Sequence, residues 1–292
     1  MKKKFAVYGN CQASPIAKLL LNNETFNNQF ELVKFSQPVF MLSNKDWPHI
    51  LDVVSSVDLL ICQKVGDAFG DLLSTDNLFA HAKTGAIKMS YPSIYFNGYF
   101  TEIDYLRGMP NEINQFSDYH DLNIADNFLQ SDSIEQAKQT SLEQLQDPDF
   151  YSPNDVLAGI EKSIAELKSR EVGLDTQVAN FIQQHWHEEQ LFFSVNHPSR
   201  RLLLDVCQQI LVHLEITDKS IPGSYEHLGE TILPLYHSVQ KHMIAEHLPV
   251  TKVKGHVVTL ESYVSGLIDI YAKQEPQKLA HVVSQLWQKR GC

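Results

Sequence analysis

Residues 4–20, KFAVYGNCQASPIAKLL, join a short apolar run to a helical apolar pattern. The apolar run covers residues 5–8 and stops at Gly9, and the helical spacing of apolar residues begins near Pro15. This order predicts a first strand, a tight turn and a first helix. Ligands of an open α/β sheet bind outside the carboxyl ends of its strands, so we expect a site at this turn.

Cys11 lies in that turn, at the position where such a sheet would carry a nucleophile. Gly9 permits a positive φ or a close approach of the backbone. The first N–H groups of the following helix favour negative charge, so they can lower the pKa of a thiol or hold an oxyanion. The structural alternative is that Cys11 is a small buried hydrophobic residue, which is the commoner role of a cysteine at a strand end.

The composition is that of a globular protein, with 43% hydrophobic and 20% charged residues in a chain of 292. A net charge of −11 argues against general binding to nucleic acid or to an anionic membrane. The N-terminal stretch lacks the apolar core of a signal peptide, and no run approaches the roughly 20 apolar residues that span a bilayer. Scattered cysteines without a CxxC pair predict reduced thiols and a cytoplasmic location; they are Cys11, Cys62, Cys207 and Cys292.

Strands and helices alternate over residues 1–100, which predicts an α/β fold with a small Rossmann-like parallel sheet of about four to five strands. Residues 57–62 form a nearly continuous apolar run, as expected of a strand that is buried on both faces. The predicted strands are residues 5–8, 30–35, 57–62 and 86–90, and helices are predicted at 46–55 and 75–83. The carboxyl ends of these strands bring residues 9–12, Gln63 and residues 90–92 to one edge of the sheet.

A large, mainly helical C-terminal elaboration follows this core. Residues 91–130 are predicted to be long loops with short helical turns. Helices are predicted at 134–145, 154–168, 175–187 (with Asp175 as N-cap), 200–214, 237–247, 259–272 and 277–289. Since no clean linker interrupts the chain, we predict one domain over residues 1–292, with an α/β core at 1–100, loops and helices completing the site at 101–240, and C-terminal helices at 241–292.

His197 is the second candidate for chemistry, because it lies in a turn between an apolar segment and a predicted helix. The proline after it favours extended geometry, so the imidazole would project from the start of the helix. Histidine is the usual base for activating a thiol, and Cys11 with His197 makes a coherent nucleophile–base pair. The alternative is a structural hydrogen bond, since a chain with 13 histidines offers chance matches.

Six motifs in order along residues 4–240 resemble the WcbI-type polysaccharide biosynthesis family. They are GNCQ (9–12), DLLICQ (58–63), YPSIYFNGY (91–99), LKSRE (167–171) with Asp175, LFFSVNHPS (191–199) and ILPLYH (232–237). The resemblance implies a polysaccharide biosynthesis enzyme of the capsule or another surface polymer. It also implies transfer of an acetyl group from acetyl-coenzyme A to a sugar hydroxyl.

A more distant similarity links the chain to SGNH-type hydrolases and acetyltransferases, which place a nucleophile after the first strand and a histidine late in the core. Here Cys11 stands in place of their serine, and Ser194 stands where their aspartate would lie three residues before the histidine. Either Glu171 or Asp175 orients His197, or the site is a dyad.

Further residues are assigned to the same candidate site. The Cys11 N–H and a side chain such as Asn10 or Gln63 would hold the oxyanion, and the candidate oxyanion and substrate residues are Gly9, Asn10, Gln12, Gln63 and Asn196. Coenzyme A carries phosphates, and the candidate cations for it are Arg200, Arg201, Lys64 and Arg170. A solvated surface role is the alternative for these cations.

Other ligand classes are disfavoured by the sequence. It contains neither GxxxxGK[ST] nor GxGxxG, which argues against a P-loop or a dinucleotide fold. His185 and His187 are two residues apart and so do not share one helical face, and we predict no metal site. The alternatives to an acetyltransferase are an esterase or deacetylase on the same site, or a non-catalytic protein of polysaccharide assembly.

Overall fold

The structure is a computed structural model that describes residues 1–244 and 250–290. The strands are β1 Lys3–Tyr8, β2 Phe30–Leu32, β3 Leu59–Gln63, β4 Ile87–Tyr91, β5 Ile103–Asp104, β6 His120–Asp121, β7 Phe192–Ser194, β8 His197–Pro198, β9 Lys252–Val253 and β10 His256–Val257. The α-helices are α1 Ala13–Asn22, α2 Glu24–Gln29, α3 Trp47–Ser56, α4 Thr75–His81, α5 Leu122–Gln130, α6 Ile134–Gln146, α7 Pro153–Arg170, α8 Ala179–His185, α9 Arg200–His213, α10 His237–Gln240, α11 Leu260–Tyr271 and α12 Pro276–Arg290.

The chain divides into two compact units, each built from three segments. Unit 1 comprises Met1–Tyr95, Ile164–Gln184 and His197–Leu228, and unit 2 comprises Phe96–Ser163, His185–Asn196 and Gly229–Cys292. The predicted α/β core at residues 1–100 falls almost wholly in unit 1, which also recruits α9. The prediction of a single domain over the whole chain stays a prediction.

A four-stranded sheet in the order β2-β1-β3-β4 forms the centre of unit 1. All of its neighbouring strands are parallel, and Phe5 of β1 lies between Leu32 of β2 and Leu59 of β3. All five residues of β3 are buried, as a central strand of a parallel sheet requires. The predicted fold class, a small parallel sheet followed by a mainly helical region, is confirmed.

Long-range hydrogen bonds explain why the helix predicted over residues 175–187 is shorter. The Asp175 carboxylate accepts hydrogen bonds from the backbone and side chain of Ser90, both at 2.7 Å, and does not cap a helix. The Glu171 carboxylate accepts from the N–H groups of Val178 and Ala179, at the beginning of α8. These contacts hold residues 171–178 outside the helix.

Three other element predictions differ from the structure. Helix α2 was not predicted, although Asn23 caps it by accepting from the Phe26 N–H. Helix α5 lies in the stretch predicted as loops; its N-cap is Asp121. Helix α10 ends at Gln240, and residues 245–247 of the predicted helix lie outside the described residues.

Unit 2 is mainly helical: α5 packs against α6, α11 and α12, and α11 also packs against α6. The short strands β5 and β6 pair antiparallel, with Ile103 opposite Asp121. Among the described residues, no helix is both long and apolar enough to cross a membrane.

A pair of carboxyl groups is buried in the core of unit 2. Glu102 and Asp121 are each 1% exposed. Burial raises the pKa of Glu102 to about 8 and that of Asp121 to about 7, and the charge of Asp121 adds to the increase for Glu102. The Tyr236 hydroxyl donates to Asp121, and the Tyr151 hydroxyl lies 3.5 Å from Glu102 Oε2. The pair therefore holds protons near neutral pH.

These two carboxyls predict that the free energy of unfolding falls as the pH rises. The folded state keeps protons that the unfolded carboxyls have already lost, so their stabilising contribution is present below pH 4 and disappears as the pH rises through about 8. In the unchanged chain the free energy of unfolding falls between pH 5 and pH 8. In Glu102→Gln this fall should be smaller, by about 1 kcal/mol or more. Urea denaturation between pH 4.5 and 8.5 measures this effect.

Asp121→Asn is a second variant for the same measurement, because an asparagine side chain still caps α5. It should reduce the pH dependence in the same direction. An unchanged slope in both variants would show that the pair does not titrate as described.

Candidate active site at the first strand–helix turn

Gly9 ends β1 at a point with no room for a side chain. A Cβ at this position would meet the Tyr91 hydroxyl, and it would lie 2.8 Å from Gln63 Cβ. The Tyr91 hydroxyl in turn donates to the Tyr8 carbonyl. The ends of β1, β3 and β4 thus meet at one edge, as predicted, and glycine is needed there for close packing.

The side chains of Gln63 and Gln12 hold the turn in place through hydrogen bonds. Gln63 Oε1 accepts from the Asn10 N–H at 2.8 Å, and Gln63 Nε2 donates to Gln12 Oε1 at 3.3 Å. Gln12 Nε2 donates to the Ile94 carbonyl at 2.7 Å. Asn10 Oδ1 accepts from the Gln12 N–H, which closes an Asx turn around Cys11. These predicted oxyanion and substrate residues therefore form one network that positions Cys11.

The Cys11 thiol is half-buried at the beginning of α1. Burial raises its pKa to about 11, and a backbone hydrogen bond at Cys11 itself opposes this only in part. The surroundings of this thiol therefore raise its pKa overall, because the desolvation cost of the thiolate is larger than the lowering effect of the backbone hydrogen bond. The thiol therefore needs a base before it can act as a nucleophile.

A cavity of about 370 Å³ opens beside this turn within unit 1. One wall is the turn and α1, and the other is the segment that follows β2. Its lining residues are Val7, Gly9, Asn10, Cys11, Ala13, Ser14, Ala17, Lys18, Leu21, Leu32, Val33, Lys34, Phe35, Ser36, Gln37 and Pro38. The lining is mostly apolar with a few polar groups, which is typical of a small-molecule site.

Two exposed lysines, Lys18 on α1 and Lys34 after β2, line this cavity. Neither forms an ion pair with any residue in the described part of the chain. The positive charges of Lys18 and Arg200 both contribute to lowering the pKa of His227, after desolvation as the main cause. Lys18, Arg200 and His227 are therefore electrostatic neighbours, and the cavity has positive charge close to its wall.

His197 and Asn196 follow β7 in the chain. His197 is half-buried, belongs to unit 1 and directly precedes Pro198 and α9. Asn196 belongs to unit 2, where its side-chain oxygen accepts from the Tyr119 hydroxyl at 2.6 Å. Neither residue is among those that line the cavity.

Comparisons with known proteins identify the family of this chain and a solved structure with the same fold. Residues 4–219 match the family described as "Polysaccharide biosynthesis enzyme WcbI". This chain belongs to the WcbI family. The match covers the sheet, Cys11, the lysines of the cavity wall and His197.

A solved structure of WcbI has the same fold, with a TM-score of 0.87 and 24% sequence identity, and the alignment covers 98% of this chain and 94% of that one. It is described as a novel polysaccharide biosynthesis enzyme, in a native form without a disulfide bond between coenzyme A and a cysteine of that protein. No curated protein sequence matches this chain.

The four predicted coenzyme A cations of this WcbI-family chain do not line the cavity. Lys64 pairs with Asp76 at 2.6 Å. Arg170 donates to the carbonyls of Ser93 and Tyr95 and covers the Tyr95 ring.

The two remaining arginines also make contacts away from the cavity. Arg200 donates to the Ile221 carbonyl, and Arg201 lies 5.5 Å from the centre of the Phe181 ring. Of the four predicted cations, Arg200 is the one whose charge helps to lower the pKa of His227, as the charge of Lys18 does.

Glu171 and Asp175 are the two candidate acids for orienting His197. The Glu171 carboxylate accepts from the Val178 N–H before α8, and the Asp175 carboxylate accepts from the Ser90 N–H in β4. Both carboxylates therefore serve structural contacts. No group of three or more histidine, cysteine, aspartate or glutamate side chains that could hold a metal occurs in residues 1–244 and 250–290.

Sequence reasoning missed Lys18, Lys34 and His227. Lys18 is the one charged residue within the apolar run of the first helix, about two turns after the cysteine, which was an available signal. Lys34 and His227 reach this region through the fold of segments distant in sequence, so no local pattern identifies them.

The close packing around Gly9 predicts that any side chain at this position destabilises the fold. Gly9→Ala should lower the free energy of unfolding by about 1–3 kcal/mol, because the new methyl group must displace Tyr91 or Gln63. Urea denaturation measures the change. Gly66→Ala is the matched control, since a Cβ there meets nothing within 4 Å; an equal loss in both variants would contradict this explanation.

The raised pKa of Cys11 predicts slow alkylation at neutral pH. With a pKa of about 11, the thiolate fraction at pH 7 is on the order of 10⁻⁴. The rate of iodoacetamide modification at Cys11, followed by peptide mass spectrometry, should rise about tenfold per pH unit from pH 7 to 10. Cys11→Ser gives the background, and a rate that levels off near pH 7 would reveal a stabilised thiolate.

Proposed function

We propose that this chain is an acetyl-coenzyme A-dependent O-acetyltransferase that acts on a surface or capsular polysaccharide or its precursor. The observation that carries the proposal is the cavity of unit 1, which has a cysteine at its inner wall and two unpaired lysines along it. A thioester donor with phosphate groups matches that combination of a thiol, an apolar wall and positive charge.

Coenzyme A would enter with its thiol end towards Cys11. The apolar part of the wall, which includes Ala17 and Leu21, suits the pantetheine arm. Lys18 and Lys34 would pair with phosphate oxygens near the mouth, with Arg200 adding positive charge close to Lys18. The net charge of −11 makes such a local cluster necessary.

In the covalent route, His197 takes the proton of the Cys11 thiol, and Sγ attacks the thioester carbonyl of acetyl-coenzyme A. The bond from that carbonyl to the sulfur of coenzyme A breaks, and the departing thiolate receives the proton from His197. A sugar hydroxyl then attacks the acetyl-cysteine while His197 accepts its proton, and Cys11 leaves as a thiol once that proton returns. The Cys11 N–H would hold the oxyanion.

In the direct route, His197 deprotonates the sugar hydroxyl, which attacks acetyl-coenzyme A itself, and Cys11 only shapes the pocket. The raised pKa of Cys11 increases the demand on the base in the covalent route. Cys11→Ala separates the two routes: full transfer activity in this variant excludes the covalent one.

Two findings about related proteins support the choice of donor and acceptor class. The family is named for polysaccharide biosynthesis, and the similar solved structure is described with reference to coenzyme A and a cysteine. We further propose a cytoplasmic location, because Cys11, Cys62 and Cys207 are free thiols, as expected in a reducing compartment.

The proposal predicts micromolar binding of coenzyme A and acetyl-coenzyme A by calorimetry, about −8 kcal/mol. Lys18→Ala/Lys34→Ala should weaken binding at least tenfold, about 1.4 kcal/mol, because two phosphate partners are lost. The control is Lys3→Ala/Lys88→Ala, which removes the same charge from exposed residues in the amino-terminal halves of β1 and β4.

Each outcome of this measurement has a defined meaning. If only Lys18→Ala/Lys34→Ala weakens coenzyme A binding, the result supports a donor site in the cavity. If the control variant weakens binding equally, the effect comes from the overall charge of the protein. If neither ligand binds, the transferase proposal is wrong. Release of acetate from an acetylated sugar without coenzyme A would then identify an esterase or deacetylase.

A further inference from the structure

A second cavity, of about 460 Å³, lies entirely within unit 2. It is bounded by α7, by the segment after Phe96 and by α12. The residues that matter for its chemistry are Asn97, Thr101, Asn123, Tyr151, Lys162 and Trp287. Its volume falls within the range of about 300–1,000 Å³ found for ligand sites.

Hydrogen bonds to the buried carboxyl pair fix the polar floor of this cavity. Asn123 Nδ2 donates to the Tyr151 hydroxyl at 2.6 Å and to the Tyr236 hydroxyl at 3.1 Å. Tyr236 donates to Asp121, and Tyr151 lies against Glu102. The network thereby sets the orientation of Asn123 and Tyr151 before any ligand arrives.

Two amides in the wall keep unused hydrogen-bonding capacity. Asn123 Oδ1 accepts no hydrogen bond within the described residues, because both contacts of this side chain use its Nδ2. The side-chain amide of Asn97 makes no hydrogen bond there either; only its backbone does, with the N–H donating to Ser163 Oγ and the carbonyl accepting from the Phe100 N–H. Such amides offer both donors and acceptors to a polar ligand.

The aromatic wall is equally well fixed. The Trp287 indole N–H donates to Asp126 Oδ2 at 2.6 Å, and the ring is half-buried in the cavity wall. The Tyr151 ring packs against Phe150 and Tyr236. A rigid aromatic surface beside amide groups suits a ligand that has one apolar face and a polar edge.

The charged groups around the cavity balance one another in sign, and Arg290 keeps one donor free. Arg290 pairs with Asp104 through Nη2 at 2.9 Å, its Nη1 is buried without a hydrogen-bond partner in the described part of the chain, and the Asp155 carboxylate accepts from Ser152. Lys162 lies 3.4 Å from the Arg290 carbonyl. The two cations, Arg290 and Lys162, are matched in number by Asp104 and Asp155, so the wall favours an uncharged ligand whose hydroxyl oxygens accept from Lys162 and from Arg290 Nη1.

We propose that this cavity binds a neutral saccharide unit. The C–H face of a sugar ring would pack on Trp287, since ring hydrogens are weakly positive and the aromatic face is negative. Sugar hydroxyls would bond to Asn97, Asn123 and Lys162, which supply both donors and acceptors. The inference goes beyond the proposed donor site and does not depend on coenzyme A binding.

The test uses methyl glycosides of glucose, galactose, mannose and N-acetylglucosamine as probes, with the full chain. Saturation-transfer NMR and tryptophan fluorescence should detect at least one of them with about millimolar affinity. Trp287→Ala should weaken binding at least tenfold, and Asn97→Ala about threefold or more. Trp47→Phe is the control, because Trp47 lies in unit 1, outside the cavity.

Two further variants keep the result independent of folding and of the donor site. Ala158→Phe adds a ring to an exposed position in the cavity wall on α7 and should also abolish binding while leaving the circular dichroism spectrum unchanged. Lys18→Ala/Lys34→Ala should leave glycoside binding unchanged. The proposal is overturned if no probe binds, or if binding survives in both Trp287→Ala and Ala158→Phe.

Discussion

The arrangement at the carboxyl end of the sheet depends on a buried amide, the side chain of Gln63. It lies at the end of the central strand β3 and accepts from the Asn10 N–H while donating to Gln12. Gly9 must lack a side chain so that this amide and Tyr91 can approach the turn. A buried polar group of this kind is costly unless satisfied, so the network holds the turn in one conformation.

That close packing also determines the chemistry available to Cys11. Removing the thiol from water raises its pKa, and the start of α1 does not reverse this effect. The same burial keeps Cys11 protonated at rest and limits its oxidation, because the thiolate is the reactive form.

The two units carry cavities of contrasting chemistry. The cavity of unit 1 combines a thiol with the charges of Lys18 and Lys34, which suits a phosphate-bearing thioester. In unit 2 the charges are mostly paired within the protein, and the wall presents amides beside Trp287, which suits hydroxyl groups. The chain belongs to a family that is named for polysaccharide biosynthesis.

The sequence by itself determined the strand–turn–helix of residues 4–20, the parallel sheet, the position of Cys11 and the family, because periodicity and ordered motifs are local properties. Tertiary structure alone decided that Asp175 binds Ser90 and leaves the helix, and that Glu102 and Asp121 are buried together. It also decided that Lys18 and Lys34 line the cavity, and that the four predicted cations, Arg200, Arg201, Lys64 and Arg170, do not. These features depend on contacts between residues far apart in the chain, which no local pattern encodes.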